Sequence, residues 1–259
     1  LEFIHCDLPL KRVRLYPIGD WHYGSPQADI PFIKQVLKRI QKEPEARWVG
    51  MGDLIENAIV GSKSDIYIQT LPPEKQVADV VKMLMPIRDK CLFMIPGNHE
   101  ERTMRLVGLH PDNIIASQLM VRYIGYSALA MLDLRRARTP RSFLCYFHHS
   151  TGGGYTAGGK INAAAKLRLI VPTADATFSG HSHTTSRSPV TWYDASYKHL
   201  LKKTGYDYII GSALGWKGSY AEEKAKRPST VEQVVVTLAG STSGAKDSRR
   251  QTYEIISPE

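Results

Sequence analysis

Short β-prone apolar runs punctuate the chain at Val13 to Ile18, Trp48 to Met51, Cys91 to Ile95, Phe143 to Phe147 and Ala176 to Phe178. Runs of this length predict buried strands. Between them the period changes. Ile30, Ile33, Val36, Leu37 and Ile40 recur at helical spacing within Asp29 to Lys42, with Asp29 ahead of Pro31 as the start signal. Pro73 to Met85 predicts a second helix, Pro111 to Tyr123 a third, and a short Ala-rich stretch between Asn162 and Pro172 a fourth. From Arg187 onward, Pro189 to Tyr193, Tyr206 to Ile210, Val231 to Leu238 and Gln251 to Ile256 read as successive strands. Strand and helix thus alternate to about residue 120, and strands dominate afterwards. Two packed mixed β-sheets flanked by helices, an α/β four-layer αββα sandwich, accommodate this order. The chain shows no internal repeat and no low-complexity linker, so 1–259 is read as a single domain, with strands 187–256 completing the sheets.

The residues after each apolar run carry the chemistry. Asp20-Trp21-His22, Gly52-Asp53, Gly97-Asn98-His99-Glu100, His148-His149 and Gly180-His181-Ser182-His183 follow the five runs in order. Each motif would emerge at the C-terminal end of a strand, where α/β sheets place their ligand sites. A lone His near an apolar strand is ordinarily structural, but six of the nine histidines fall in these motifs. Asp, His and Asn without Cys suit hard or borderline divalent ions such as Mn, Fe or Zn. Two such ions about 3.5–4 Å apart clamp the attacking and departing oxygens of an in-line displacement at phosphorus. One carboxylate must then bridge them, and Asp53 is the candidate. The fourth motif leaves a choice, since adjacent strand residues point oppositely and only one histidine can face the metals. His148, directly after its run, is taken as the ligand, with His149 as the alternative.

The ordered set D-x-H, G-D, G-N-H-E, H and G-H-x-H resembles the calcineurin-like metallophosphoesterases and spans Asp20 to His183, roughly two-thirds of the chain. The resemblance implies the same four-layer architecture and two divalent metal ions, Mn²⁺ foremost, with Fe, Zn or Ni as alternatives. It implies that Asp20, His22, Asp53 and His183 hold the first metal, and Asp53, Asn98, His148 and His181 the second. His99 would protonate the leaving alkoxide or orient the phosphoryl oxygen. The implied reaction is hydrolysis of a phosphate ester by a hydroxide bridging the metals. The superfamily includes protein phosphatases, nucleotide phosphodiesterases and repair-type DNA nucleases, so the resemblance leaves the substrate open. Its repair nucleases usually work with an ATPase partner and carry a capping domain, and the stretch after His183 leaves little room for one.

Charge narrows the substrate. With 34 basic against 25 acidic residues, a net charge of +9 and a pI near 9.4, the surface favours polyanions. The expectation leans to phosphodiesters, with DNA or RNA as possible partners. A phosphomonoesterase acting on proteins or small molecules is the alternative, and an inactive nucleic-acid-binding relative is the reading from another class. Basic residues cluster at Arg135, Arg136, Arg138 and Arg141, at Lys198, Lys202 and Lys203, and at Lys246, Arg249 and Arg250, although such clusters are usually solvated turns. Trp21, Tyr23, Trp192, Tyr193, Tyr197 and Trp216 could stack bases, or simply belong to the core. Arg102 is a candidate phosphate contact by its bidentate guanidinium. Asn57, on a presumed helix one turn past Asp53, is another. Glu100 and Glu101 read as helix-starting acids.

The stretch STGGGYTAGGK, Ser150 to Lys160, matches the G-x-x-x-x-G-K part of a phosphate-binding loop, but Ile161 stands where Ser or Thr should reach Mg²⁺. Its better use is as an active-site wall, with Lys160 holding a substrate phosphate, or as a surface loop. No apolar stretch is long enough to span a membrane. Leu1 to Leu10 carries two acids and no sufficient apolar core for a signal peptide. Cys6, Cys91 and Cys145 show neither pairing nor metal-ligand spacing, which makes a reducing cytoplasm the simplest compartment.

Overall fold

A computed structural model of the chain describes residues 1–62, 66–135, 141–150, 152, 154–195, 200–240 and 249–259. Arg136, Arg138, Thr151, Gly153, Tyr197, Lys198 and Lys246 lie outside the described residues. The elements run β1 (Glu2–Leu8), β2 (Arg12–Ile18), α1 (Ile30–Lys42), β3 (Ala46–Gly50), α2 (Pro73–Leu84), β4 (Cys91–Met94), α3 (Asn98–Val107), α4 (Pro111–Leu119), β5 (Ser127–Leu134) and β6 (Arg141–His148). They continue with α5 (Ala157–Leu167), β7 (Ala176–Ser179), β8 (Thr185–Ala195), β9 (Leu200–Ser212), α6 (Tyr220–Glu223), β10 (Glu232–Gly240) and β11 (Arg249–Ile256).

Local chemistry sets the helix limits. The Asp29 side chain accepts a hydrogen bond from the Phe32 amide at 2.9 Å, capping α1, and Pro31 occupies its first turn. A cap of this kind contributes about 1 kcal/mol. The predicted apolar stripe from Ile33 to Ile40 is buried. Helix α4 stops at Leu119, short of the expected Tyr123, because Met120 takes a left-handed conformation with φ of 57° and closes the helix on Ala116. Helix α5 starts earlier than its Ala-rich stretch because Thr156 caps it through the Gly159 amide at 3.1 Å.

The strands form one mixed sheet, hydrogen-bonded in the order β1-β5-β6-β7-β9-β10-β2-β3-β4, with β8 on β9 and β11 on β10. Two separate sheets were expected. The halves are instead joined where Glu232 and Gln233 of β10 pair with Ser212 and Gly211 of β9. Burial nonetheless follows a period of two. Val13 and Leu15 of β2, Val49, Phe93, Phe147, Phe178 and Tyr208 fill one apolar cluster to which both halves of the sheet contribute. Tyr16, Ile18 and Trp48 point the other way, against Phe32, Val36, Val80 and Ile115 of the helices. A small cluster of Tyr146, Val171 and Ala174, with Leu167 of α5 packed on it, covers the opposite side. Strands covered on both faces read as unbroken apolar runs, which explains the sequence pattern.

Strands β2, β3 and β4 are mutually parallel, as are β6, β7 and β9. Because β10 runs antiparallel to both β9 and β2, the two parallel sets point the same way. All five polar motifs therefore leave the sheet at one end. Among the described residues no helix is long and apolar enough to cross a membrane.

Candidate metal centre and active site

Sharp turns at the strand ends bring the motifs together. Asp20, His22, Asp53, His181 and His183 all take left-handed backbone conformations, with φ between 47° and 66°. L residues adopt such geometry at a cost of order 1–3 kcal/mol each, and it concentrates at functional sites. The amides of Trp21 and His22 both donate to the Asp53 carbonyl, at 2.9 and 3.0 Å, which locks the first motif onto the second. Gly52 and Gly97 allow the loops to touch: a Cβ on Gly52 would fall 2.2 Å from the Gly97 nitrogen.

Three overlapping groups of side chains converge. Asp20, His22 and His183 offer ligand atoms within 4.8 Å of one another, as do Asp53, His149 and His181, and also His22, Asp53 and His99. Asn98 joins the second group, its Oδ1 lying 3.0 Å from His149 Nε2. His22 Nε2 and His183 Nε2 are 2.9 Å apart. His149 Nδ1 donates to the Met51 carbonyl at 2.7 Å, which leaves Nε2 facing Asp53 Oδ2 at 3.2 Å and Asn98 Oδ1. A carbonyl can only accept, so Nδ1 keeps its proton and Nε2 is the nitrogen turned to the cluster, able to ligate a metal once its own proton is displaced.

The structure brings His149, and not His148, to the cluster. Phe143, Cys145 and Phe147 point into the core between the sheet halves, and His149 continues that alternation just beyond β6. His148 falls on the other face, its ring 6.4 Å from that of Tyr146, with Nδ1 accepting from the Ser150 amide at 2.7 Å. The alternate positions 143, 145 and 147 carried this signal in the sequence.

The electrostatics mark a site built for cations. Burial pushes the Asp20 carboxyl up to about 7, with Asp53 adding to the rise against the pull of His149 and His22. Burial also opposes charge on Asp53, but His149, His99 and His22 hold it well below the usual carboxylate range. Burial disfavours a charged His149, yet Asp53 and Asp20 outweigh it and raise the imidazole to about 10. His99 and His181 are both pushed down to about 4, chiefly by burial, and His183 well below its ordinary value for the same reason. Among the described residues Asp20 Oδ1, Asp53 Oδ2 and His22 Nδ1 are buried without a well-formed hydrogen bond, Asp53 Oδ2 resting 3.2 Å from His149 Nε2 and His22 Nδ1 3.3 Å from Glu56 Oε2. Unpaired buried carboxylate oxygens are costly. Two of them facing imidazole nitrogens fit divalent cations with mixed O and N ligands, so the donor set suits the metals that the motifs imply.

Two acids support the site that sequence reasoning did not place there. Glu56 Oε2 lies 3.3 Å from His22 Nδ1 and 3.7 Å from His99 Nδ1, while its carbonyl accepts from His99 Nδ1 at 2.8 Å. Glu100 opens α3 as an acid should, but its buried carboxylate also accepts from the Asp53 and Ile55 amides at 3.0 and 3.1 Å. His99 stands beside the cluster, its amide donating to Asp53 Oδ1 at 2.8 Å and its ring packed edge-on to His22 at 4.3 Å.

The three expected substrate contacts fare differently. Arg102 Nη1 lies 3.4 Å from the Glu56 carbonyl, at the border of the cluster. Lys160 sits in the first turn of α5, near Lys226 and Arg227. Asn57 is not on a helix, and its side chain is engaged by the protein itself. It is buried in an irregular segment with φ of 46°, donating from Nδ2 to the His99 carbonyl at 2.7 Å and to Thr103 Oγ1 at 2.9 Å. Among the aromatics, Trp21 is buried in the core.

The chain matches the calcineurin-like phosphoesterase family model over residues 13–212. That range contains every motif of the cluster, and the chain belongs to this family of metal-dependent phosphoester hydrolases. No curated protein matches its sequence. A solved structure from Streptococcus pneumoniae, described as a predicted phosphoesterase, is similar over 94% of this chain and 98% of that one, at 11% identity and a TM-score of 0.35. A TM-score that low bears on neither fold nor function.

Proposed function

We propose that the protein is a two-metal phosphodiesterase acting on nucleic acid. Asp20, His22, Asp53 and His183 would hold one divalent ion, and Asp53, Asn98, His149 and His181 the other. The observation that carries this reading is Asp53 Oδ2, buried and within 3.9 Å of nitrogens from His22, His99 and His149. An oxygen so placed can serve two cations at once. When bound, the ions activate water and neutralise charge on the phosphoryl group.

The protein's own groups do the rest. Glu56 and Glu100 fix the rings and loops, so the cluster requires little reorganisation on binding substrate. His99 Nδ1–H donates a hydrogen bond to the Glu56 carbonyl, so its Nε2 faces the site. Donation to a leaving alkoxide needs the doubly protonated ring. An anionic phosphate beside Nε2 favours that form, offsetting the burial and the Arg102 charge that depress it. Arg102 and Lys160 are read as phosphate contacts. Manganese is the first metal to test, and the thiols fit a reducing cytoplasm. The same reading treats the two sheet halves and their three apolar clusters as a four-layer sandwich in a single domain.

The net charge of +9 favours a polyanionic diester over a small monoester. The test is Mn²⁺-dependent hydrolysis by metal-stripped protein of a chromogenic diester, the matching monoester, and single- and double-stranded DNA, with Asp53→Asn as control. Diester and DNA cleavage that disappears in the control is expected. Monoester cleavage alone would make the protein a phosphatase. No turnover with any added divalent metal would leave a nucleic-acid-binding relative.

A further inference from the structure

The buried residues of α2 are Val80, Val81, Leu84 and one polar side chain, Gln76. An apolar residue would pack there at lower cost, because a buried carboxamide must find partners for both its oxygen and its nitrogen. Gln76 finds them in the segments that follow the first two motifs. Its Nε2 donates to the Leu71 carbonyl at 2.6 Å and to Gln69 Oε1 at 2.9 Å. It also packs on the turn after the first motif, where a Cβ on Gly24 would fall 2.3 Å from Nε2. Its Oε1 accepts from the Asn57 amide at 2.9 Å. That amide belongs to the peptide unit whose oxygen is the Glu56 carbonyl, the group that accepts from His99 Nδ1 at 2.8 Å. A peptide unit is planar, so a grip on its N–H sets the direction of its C=O. A bond to the N–H also polarises the unit and strengthens its oxygen as an acceptor. The segment needs such a grip: it lies outside every helix and strand, and Asn57 holds a left-handed φ of 46°.

We propose that Gln76 is a positioning residue for phosphoester hydrolysis: through the Glu56–Asn57 peptide it aims the His99 ring, Nδ1 at the carbonyl and Nε2 at the metal cluster. The inference rests on the reading of His99 as proton donor to the leaving oxygen and extends the machinery to a helix that carries none of the five motifs. The hydrogen bonds run in one direction, from the His99 ring to the Glu56 carbonyl and from the Asn57 amide to Gln76. The Asn57 side chain holds the same histidine by its backbone carbonyl, so ring and backbone of His99 are fixed by adjacent groups of one segment. Among the described residues none of the Gln76 side-chain hydrogen bonds goes to a metal-ligand candidate. Loss of Gln76 should therefore loosen the acid and leave the metals in place.

The experiment compares Gln76→Leu, Gln76→Glu and His99→Ala with the parent protein on methyl p-nitrophenyl phosphate, whose leaving oxygen departs without a proton, and on methyl phenyl phosphate, whose more basic oxygen needs one. Gln76→Leu cannot accept from the Asn57 amide, whereas Gln76→Glu still can. In Gln76→Leu, kcat should fall on the order of tenfold or more on the phenyl ester and by less than about threefold on the nitrophenyl ester, with KM and metal content unchanged. His99→Ala should separate the two esters further, and Gln76→Glu should not separate them. Gln76→Asn, a methylene too short to reach the amide, carries the same expectation as Gln76→Leu if the apolar variant does not fold. NMR reads the ring without turnover: the His99 Nδ1 proton, sheltered from exchange by the Glu56 carbonyl, should broaden or vanish in Gln76→Leu and persist in Gln76→Glu. Equal losses on both esters where His99→Ala separates them, or an undisturbed Nδ1 signal, would overturn the positioning role. A parent protein that hydrolyses neither ester would sink the phosphoesterase reading, while the Nδ1 signal would still decide whether Gln76 holds the ring.

Discussion

Replacing Gly52 by alanine should damage the site out of proportion to the size of a methyl group. Gly52 has φ of 80°, and its Cβ would sit 2.2, 2.4 and 2.5 Å from three backbone atoms of Pro96 and Gly97. Backbone cannot swing aside as a flexible side chain can, so reaching ordinary contact needs a shift of about 1 Å between the second and third motifs. Left-handed strain adds roughly 1–2 kcal/mol for an L residue, and overpacking about 1–3 kcal/mol. The sum, about 2–5 kcal/mol, corresponds to a fall in Tm of roughly 4–20 °C for a chain of this size. A displacement of about 1 Å in a catalytic group can cost on the order of 10²-fold in rate, and Asp53 is the next residue. Gly108→Ala is the matched control. It has φ of 71° at the end of α3, but nothing lies within 4 Å of its Cβ. It should pay only the conformational cost of about 1 kcal/mol. Thermal melts and Mn²⁺-dependent hydrolysis, run on both variants, separate strain from collision. Gly52→Ala with the melting temperature and rate of Gly108→Ala would refute the argument that loop contact sets the position of Asp53.

His149→Ala should lose metal far more than His148→Ala. Supporting groups around a ligand are typically worth 10–100-fold in metal affinity, so a ligand should exceed that, and metal content by mass spectrometry after dialysis would expose the reverse order. Asn57→Ala should lower kcat with little change in KM and cost about 1–3 kcal/mol in urea unfolding, because it strips the support from the His99 carbonyl and touches no substrate. A raised KM at unchanged kcat would return Asn57 to the substrate. In the metal-free protein His149 keeps its proton up to about pH 10 and Asp20 up to about 7. The raised His149 pKa stabilises the fold fully below 6.5 and loses that contribution as pH rises towards 10. The lowered values of His99 and His181 act in the opposite sense, costing stability as pH falls from 6.5 towards 4. The raised Asp20 carboxyl opposes that trend between pH 3.8 and 7, so the unopposed effect is the His149 loss, and the stripped protein should lose stability to urea as pH climbs above about 7. Metal binding there should release about one proton or more, read by calorimetry in buffers of different ionisation enthalpy, and affinity independent of pH would contradict it.

Local pattern carried the candidate chemistry because the relevant signals are short. An apolar run followed by Asp, His or Asn places a ligand at a strand end whatever the rest of the chain does, and five of them in order define the donor set. The helical stripe of α1 and its Asp29 cap were legible for the same reason. Parity within β6 was also written in the sequence, although adjacency to the run pointed to His148 while the alternation of Phe143, Cys145 and Phe147 pointed to His149. Other features depend on distances that no local period encodes. Only the closure of the sheet through β9 and β10 brings the amide of His181 within 2.7 Å of Asp20 Oδ2, across 161 positions of sequence. The same closure explains the merger of the two expected sheets. The left-handed turn at Asn57 sends an apparent substrate contact inward, behind His99. Glu100 read as a helix-start acid, and no local pattern singled out Glu56, until folding buried them against imidazoles and amides. The sequence determined which atoms are available for chemistry, while the long-range strand pairings decided which of them meet.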